Sequence, residues 1–410
     1  MTHVPAEKKP HRVLLLGVDT PIGLTLIREL AEHSVEVHGV ARSPWGIGLF
    51  SRHLASGVVI SGRGTEQRER ILSRMRALDI DCLMAISEVD LLWLNAERKH
   101  FAGIHLLVPA DATLRAVLDK TRVLNSAHSL GIAIPTSFTP SSPEDALTQT
   151  WQYPLILKWA DPNEVAPTLG THGLELLKAE YIYDADQLRT SLERYRPLGV
   201  YPLVQQFCPG YGLGQMFVMH QGNALLAFQH RRVHEWPPEG GVSSVCESVG
   251  LDEHAELQKL SMRLLQDLAW DGPAMVEYRF DPATGKAVLM EINGRFWGSL
   301  PLTRHAGAHF GWTTYRALYL GDSTREVRGY RSGVRCAFMI PEMKRLLRII
   351  TAPGKIQNRS LHFSPLAEVG AFLLLLLNPR TRYYVFSLAD PLPMLADLFG
   401  AVFQRLKFKP

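Results

Sequence analysis

Four polar residues in the second half of the chain have the types and the spacing to hold a metal ion together with phosphate. They are Glu277, Glu291, Asn293 and Arg295. Carboxylate and amide oxygens are hard ligands that hold Mg²⁺ and leave positions open for phosphate oxygens. An arginine is a fixed cation that suits a phosphoryl group or a carboxylate. Ordinary solvated charge on a surface hairpin is the alternative, because short motifs also occur by chance.

A β-hairpin would position this group. Residues 275–280 are apolar and aromatic, residues 281–285 (DPATG) have turn composition, and residues 287–292 are apolar again. This pattern predicts two antiparallel strands joined by a turn. Glu277 and Glu291 would then lie on adjacent strands, and side-chain alternation would place the asparagine two residues after Glu291 on the same face.

The first hundred residues alternate between strand-like and helix-like segments. Strands are predicted at 12–17, 35–40 and 81–86, and helices at 24–32 and 66–78. This alternation predicts a parallel, Rossmann-like sheet. Gly17 and Gly23 do not fit the G-x-G-x-x-G dinucleotide fingerprint, and no acidic residue ends the second strand. We therefore expect a structural domain here, and an NAD(P)-dependent oxidoreductase is the less favoured alternative.

The middle of the chain adds candidate phosphate-binding elements. The pattern predicts one helix at 114–130 closed by Gly131, strands at 153–159 and 202–208, a glycine-bearing loop at 168–173, a hairpin at 216–230 and a helix at 253–269. Lys158, near the end of an apolar strand, either reaches solvent or faces an anion. Backbone N–H groups of a glycine loop can bind phosphates.

The order of these features resembles the ATP-grasp ligase superfamily over roughly residues 12–325. The features are Lys120, Lys158, the glycine loop, QQFCPG at 205–210, HRR at 230–232, Glu277 and EINGRFWGS at 291–299. The chain looks most like the uncharacterised carboxylate–amine ligases of that superfamily, which also includes the carbamoyl-phosphate synthetase and biotin carboxylase type.

The resemblance implies a multi-domain chain of mixed α+β and α/β class. A polar tail at 1–11 would precede a Rossmann-like domain at 12–115. A two-lobed ATP-grasp domain would occupy 116–328, and a basic, apolar, helical extension would occupy 329–410.

The resemblance also implies a role for each matching residue. ATP-binding residues would be Lys120, Lys158, Gly170, Thr171, Gly173, Gln205, Gln206, Phe207, Cys208 and Gln215. Metal ligands would be Glu277, Glu291 and Asn293, and catalytic residues would be Lys158, Arg232 and Arg295. Many relatives have a glutamate in the hinge where this chain has Gln205 and Gln206, and some have an acidic residue at Gln215. These departures leave the ribose contact and the preference for ATP open.

The implied reaction uses ATP and Mg²⁺, with Mn²⁺ as a substitute. A carboxylate attacks the γ-phosphate to give an acylphosphate, and an amine, or less often a thiol, then displaces phosphate to form an amide-type bond. Such a carbon–nitrogen ligase needs no nucleophilic serine or cysteine, so Cys208 is expected to pack. An ATP-binding regulator or scaffold without turnover is the alternative. Family habit suggests a homodimer.

Composition and charge indicate the class of protein and its cellular compartment. The chain is 46% hydrophobic and 20% charged, with four scattered cysteines and no apolar leader at its start, which indicates a globular, cytoplasmic protein. Residues 331–410 contain 12 basic and 4 acidic residues, a net charge of +8, which leaves −4 for the rest. This asymmetry does not indicate a nucleic-acid-binding protein.

The tail allows two interpretations. Its helices, predicted at 343–350, 366–377 and 391–406, would either pack on the body of the protein or contact an anionic membrane peripherally at its inner face. The apolar run 366–377 is shorter than the roughly 20 residues a bilayer requires, so we do not expect it to span.

Overall fold

The computed structural model describes residues 11–62, 64–160, 162–177, 179–325 and 329–407. The predicted polar tail 1–11 therefore lies outside the described residues, apart from His11.

A five-stranded parallel sheet forms the N-terminal part. Its strands are β1 (Arg12–Leu16), β2 (Glu36–Ala41), β3 (Ser56–Val59), β4 (Cys82–Ala85) and β5 (His105–Leu107), in the order β3-β2-β1-β4-β5. The accompanying helices are α1 (Pro21–Glu32), α2 (Thr65–Ala77), α3 (Glu88–Glu97) and α4 (Asp111–Leu118). All four neighbouring pairs are parallel, which confirms the parallel sheet predicted from the alternation.

A small antiparallel sheet follows. It contains β6 (Ser137–Phe138), β7 (Leu155–Lys158), β8 (Glu180–Ile182) and β9 (Leu203–Gln206), in the order β6-β9-β7-β8. Its helices are α5 (Lys120–Ser129), α6 (Pro143–Leu147), α7 (Pro162–Thr171) and α8 (Ala185–Glu193). This sheet has a core of its own, built from residues such as Leu155, Leu188 and Val204.

The third sheet has seven strands. They are β10 (Tyr211–His220), β11 (Asn223–Trp236), β12 (Val242–Ser248), β13 (Gly272–Asp281), β14 (Lys286–Asn293), β15 (Arg335–Ala337) and β16 (Arg382–Tyr383), in the order β14-β13-β10-β11-β12-β15-β16. The helices in this part are α9 (Ala255–Asp267), α10 (Leu300–Ala306), α11 (Phe310–Leu318), α12 (Met339–Thr351), α13 (Pro365–Leu377) and α14 (Leu392–Lys407). Short 3₁₀ turns occur at Ile47–Phe50, Arg98–Phe101, Arg196–Leu198 and Pro353–Lys355.

The two large sheets share buried apolar clusters. Buried side chains of the N-terminal sheet, such as Leu15 and Val37, belong to the same apolar clusters as Phe228 and Trp297 of the third region. The small sheet packs around a separate cluster, so it is the part of the fold least tied to the rest by apolar burial.

Two sequence predictions need correction. The single helix predicted at 114–130 is two helices, because Asp119 leaves helical geometry (φ −75°, ψ 99°) and its carboxylate accepts the N–H of Arg122 at 3.1 Å as the cap of α5. The tail predicted to be helical also supplies β15 and β16 to the seven-stranded sheet. The domain limits 12–115, 116–328 and 329–410 stay a prediction.

None of the helices in the described part of the chain has the length and apolar character needed to cross a bilayer.

A buried carboxylate attaches the tail to α1 and to the segment before β3. The side chain of Asp390, 2% exposed, lies 2.9 Å from Nε of Arg28, accepts the Ser51 hydroxyl at 2.7 Å and accepts the N–H of Arg52 at 3.0 Å. These contacts together replace the water that the charge loses on burial.

Replacing Asp390 with alanine should lower the free energy of unfolding by about 3–5 kcal/mol, because the buried Arg28 guanidinium loses its partner. Urea denaturation measures this loss. Asp186→Ala is the matched control: the Asp186 side chain is 95% exposed and 3.9 Å from Arg189, so that change should stay within about 0.5 kcal/mol. Equal effects of the two substitutions would contradict a structural role for the Asp390 cluster.

Candidate functional site

The predicted hairpin is confirmed, and it brings the metal-ligand candidates together. Strands β13 and β14 are antiparallel, with Glu277 directly opposite Glu291 and Met275 opposite Asn293. The amide of Asn293 donates to Oε1 of Glu291 at 3.0 Å. Among the described residues no cluster of three or more His, Cys, Asp or Glu side chains is arranged for a metal. Beside this pair the Asn293 amide offers a further oxygen atom, and its role as a metal ligand stays a prediction.

An arginine from another strand reaches one of the carboxylates. Nη2 of Arg232 on β11 lies 2.6 Å from Oε2 of Glu277, and both side chains are 13% exposed. Strand β10 lies between β11 and β13 in the sheet. A Cβ placed on Gly212 of β10 would lie 2.6 Å from Cδ of Arg232. Glycine at this position therefore leaves the space that the arginine crosses.

Two further residues complete an alternating charge network that the sequence did not reveal. Glu235 accepts Nη1 of Arg232 at 2.9 Å and Nη1 of Arg279 at 3.0 Å. Residues three apart on a regular strand face opposite sides. Irregular pairing of β11 between Arg232 and Glu235 removes that alternation. The one sequence signal was the density of charged residues in this segment.

Burial controls the ionisation of the network. It raises the pKa of Glu277 to about 7, with Glu291 and Glu235 adding to the rise and Arg232 opposing it. Burial lowers the pKa of Arg232, but Glu277 and Glu235 outweigh this effect and the net shift is upward. A carboxyl group with a raised pKa that faces a second carboxylate is stabilised in its ionised form by an added cation.

The small sheet brings lysines toward the hairpin. Burial and the neighbouring charge of Lys120 lower the pKa of Lys158, while Glu291, Cys208 and Glu277 raise it. Lys158 ends β7, and the ammonium of Lys120 donates to the carbonyl of Ala160, two residues beyond. Lys158 is half-buried, and the carboxylates of Glu291 and Glu277 act on its charge, so its orientation toward an anion stays a prediction.

Of the predicted hinge residues, Gln205 and Gln206 end β9 and Phe207 and Cys208 follow it, and the two glutamine side chains are engaged within the small sheet. Nε2 of Gln205 donates to the Ser137 hydroxyl at 2.8 Å, and Nε2 of Gln206 donates to the Gln152 carbonyl at 2.6 Å. Phe207 packs against Tyr181 with ring centroids 5.7 Å apart. Burial raises the pKa of the Cys208 thiol, and Lys158 opposes that rise. A raised pKa disfavours the thiolate, as expected for a packing cysteine.

The predicted glycine loop at 168–173 is wrong as a loop. Gly170 and Thr171 belong to the last turn of α7, and Gly173 follows in the left-handed region with φ 65°. The N–H of Gly173 donates to the Gly170 carbonyl at 3.1 Å and that of Leu174 donates to the Leu169 carbonyl at 2.9 Å. This pattern closes a helix C-terminus. The helix continues through Gly170 and Thr171, where the glycines suggested a loop, and Gly173 supplies the positive φ that closes it.

The two remaining predicted site residues, Gln215 and Arg295, differ in where they lie relative to the paired carboxylates. Gln215 pairs with Val276 while its neighbour Gly214 pairs with Glu277, so Gln215 faces the opposite side of the sheet. There it is buried and donates to Gln229. Arg295 lies two residues past Asn293, is half-buried, and donates to the Phe296 carbonyl at 2.9 Å.

The fold is similar to several solved structures of low sequence identity. Biotin carboxylase from Campylobacter jejuni, solved as a β,γ-ATP complex, has a TM-score of 0.60 and 12% identity over 80% of this chain and 74% of that chain. N5-carboxyaminoimidazole synthetase from Staphylococcus aureus has a TM-score of 0.60 and 10% identity, over 79% and 80% of the two chains.

An L-amino acid ligase from Bacillus licheniformis has a TM-score of 0.54 and 13% identity, over 76% of this chain and 74% of that chain. No family model and no curated protein sequence matches this chain. At these identities the likeness concerns the fold, and these neighbours are ATP-grasp enzymes. The predicted resemblance is thus confirmed at the level of structure: this chain has the fold of the ATP-grasp ligases.

Proposed function

We propose that this protein is an Mg²⁺- and ATP-dependent ligase that joins a carboxylate to an amine, or less often to a thiol. The observation that carries the proposal is the pairing of Glu277 with Glu291 across β13 and β14, with Asn293 on Glu291 and Lys158 beside them. This group lies in a fold shared with an ATP-bound biotin carboxylase and an amino acid ligase.

The chemistry of the donor set fits a divalent cation. Glu277 would hold Mg²⁺ with Glu291 and Asn293, and Mn²⁺ could replace it, because all three offer hard oxygen atoms. The raised pKa of Glu277 reflects burial and a neighbouring carboxylate, a repulsion that a bound cation removes. When bound, the metal would neutralise negative charge on the phosphates.

The lysines and the hinge would hold the nucleotide. Lys158 and Lys120 lie close enough for their charges to act on each other, and two neighbouring ammonium groups would suit the phosphate chain of ATP. Backbone groups of 205–208 would contact the base, since the Gln205 and Gln206 side chains are engaged elsewhere. The turn containing Gly170, Thr171 and Gly173 would approach the phosphates only after a rearrangement of the end of α7.

Arg232 and Arg295 would orient the reacting carboxylate and the transferred phosphoryl group. A carboxylate oxygen forms a bond to the γ-phosphorus as the bond from that phosphorus to the bridging oxygen breaks, and ADP leaves. The amine nitrogen then attacks the acyl carbon of the acylphosphate, the bond to the phosphate oxygen breaks, and phosphate and a proton are released. Glu235 holds Arg232 in place through its 2.9 Å contact.

An ATP-binding regulator without turnover is the second candidate. The observation in its favour is the pair of glutamines in the hinge, where no carboxylate is available to a ribose. The presence of Glu277, Glu291, Asn293 and Arg295 together favours the ligase, because these residues would supply both the metal ligands and the cation that phosphoryl transfer uses.

Purified protein with Mg²⁺ and ATP should release ADP and phosphate only when a carboxylate and an amine from suitable pools are both present. Glu291→Gln should reduce this release at least about 100-fold, because a metal ligand and its charge are lost. Glu256→Gln, on a side chain that is 83% exposed and paired with Lys259, is the matched control and should retain wild-type release. Calorimetric ATP binding without release by the wild type would support the regulator instead.

Lys158→Met should raise the KM for ATP at least about tenfold with a smaller change in kcat, because an ammonium near the phosphates is lost. Steady-state kinetics at varied ATP measure the effect. Lys259→Met, on a side chain that is 60% exposed, should leave the KM unchanged. A Lys158→Met enzyme with wild-type KM would remove this residue from the nucleotide site.

Divalent-cation affinity should increase about tenfold between pH 6 and pH 8. The reason is that Glu277, with a pKa of about 7, is mostly protonated at the lower pH and mostly ionised at the higher one. Mn²⁺ binding followed by electron paramagnetic resonance measures the affinity. The dependence should flatten in Glu277→Gln, whose side chain does not titrate. A wild-type affinity independent of pH in this range would show that Glu277 is not a ligand.

A further inference from the structure

Helix α13 is apolar yet has no buried residue along its thirteen residues. Four of its leucines are at least half exposed: Leu366 at 87%, Leu373 at 50%, Leu374 at 70% and Leu377 at 77%. Isolated exposed leucines are ordinary on protein surfaces, but a contiguous group on one helix marks a contact site.

The attachment of α13 to the protein is polar at its start. Glu368 lies 2.9 Å from Nη1 of Arg345 on α12, and Arg345 in turn lies 3.3 Å from Glu342. This ion pair fixes the first turn, and the helix continues with its leucines toward solvent. The exposed face is therefore held in place and is not the result of a detached segment.

Basic groups lie beside the exposed leucines. Helix α13 ends with the N–H of Asn378 on the Leu374 carbonyl at 3.0 Å, and the chain then returns, so that the Tyr383 hydroxyl donates to the Leu376 carbonyl at 3.4 Å. Arg380 and Arg382, both exposed, lie in this returning segment. The C-terminal end of α13 thus combines leucines with two arginines.

The acidic groups of the tail do not cancel this charge. Glu342 accepts from Ser244 at 2.6 Å and Asp390 from Arg28 at 2.9 Å, and both carboxylates are buried. Glu368 is paired with Arg345, and Asp397 is half-buried. In the described part of the tail no acidic side chain is exposed, so none of them lies open to solvent beside Arg380 and Arg382.

We propose that the surface formed by Leu373, Leu374, Leu377, Arg380 and Arg382 docks on an anionic lipid bilayer. The helix lies along the surface with its leucines at the boundary between headgroups and acyl chains, and the two arginines contact anionic headgroups. A second copy of this chain fits less well, because it would bring together two tails that each carry an excess of positive charge. The proposal goes beyond the ligase activity and does not depend on it.

The test is flotation of the full-length protein with vesicles, without nucleotide. Vesicles of phosphatidylcholine containing roughly 30% phosphatidylglycerol are compared with vesicles of phosphatidylcholine alone. Wild-type protein should float with the anionic vesicles, and raising the salt concentration should weaken the binding. Leu374→Ser/Leu377→Ser should weaken it at least tenfold, and so should Arg380→Gln/Arg382→Gln.

The matched control removes two exposed apolar side chains elsewhere, in Val89→Ser/Val200→Ser, whose targets are 52% and 48% exposed. This control should bind within about twofold of wild type. Urea midpoints of all variants should match wild type, because every substituted side chain is exposed. Failure of wild type to bind anionic vesicles would overturn the proposal, and so would equal binding by the leucine variant. A wild-type dimer that Leu374→Ser/Leu377→Ser converts to a monomer, without vesicle binding, would assign the surface to a second copy instead.

Discussion

The structure of the candidate site depends on holding Glu277 and Glu291 opposite each other on paired strands, with Glu277 largely buried and Glu291 exposed to solvent. Two carboxylates on paired strands repel each other, and burial makes that repulsion more costly. The fold answers with Arg232, which crosses β10 where Gly212 leaves room, and with Lys158, which approaches from the small sheet. Together these cations offset the negative charge that the two carboxylates place on this hairpin.

The candidate site takes opposite charges from two sheets. The seven-stranded sheet supplies the carboxylates, and the small sheet, with its separate core, supplies the lysine at the end of β7. A metal ion placed between the two sheets would contact the carboxylates, and phosphates bound to that ion would contact the lysine. The tail is also connected to this region, since buried Glu342 of α12 binds His234 at 2.7 Å on β11 and Ser244 at 2.6 Å on β12.

The hairpin and the parallel sheet could be predicted from the sequence, because local residue patterns determine both of them. Alternation and turn composition predicted the hairpin containing Glu277, and alternating strands and helices predicted the parallel sheet. The sequence did not reveal Glu235, because irregular pairing in β11 changes which face it occupies. It also missed the cap at Asp119 and the helix that ends before Gly173, where a single residue's backbone geometry outweighs the surrounding pattern.

The most direct test of the central claim is a crystal structure of the protein with Mg²⁺ and a non-hydrolysable ATP analogue. The account predicts a metal ion bound by oxygen atoms of Glu277, Glu291 and Asn293, with the phosphates between that ion and Lys158. An analogue bound elsewhere, or phosphates at this place with the two carboxylates still paired only to Arg232 and Asn293, would contradict it.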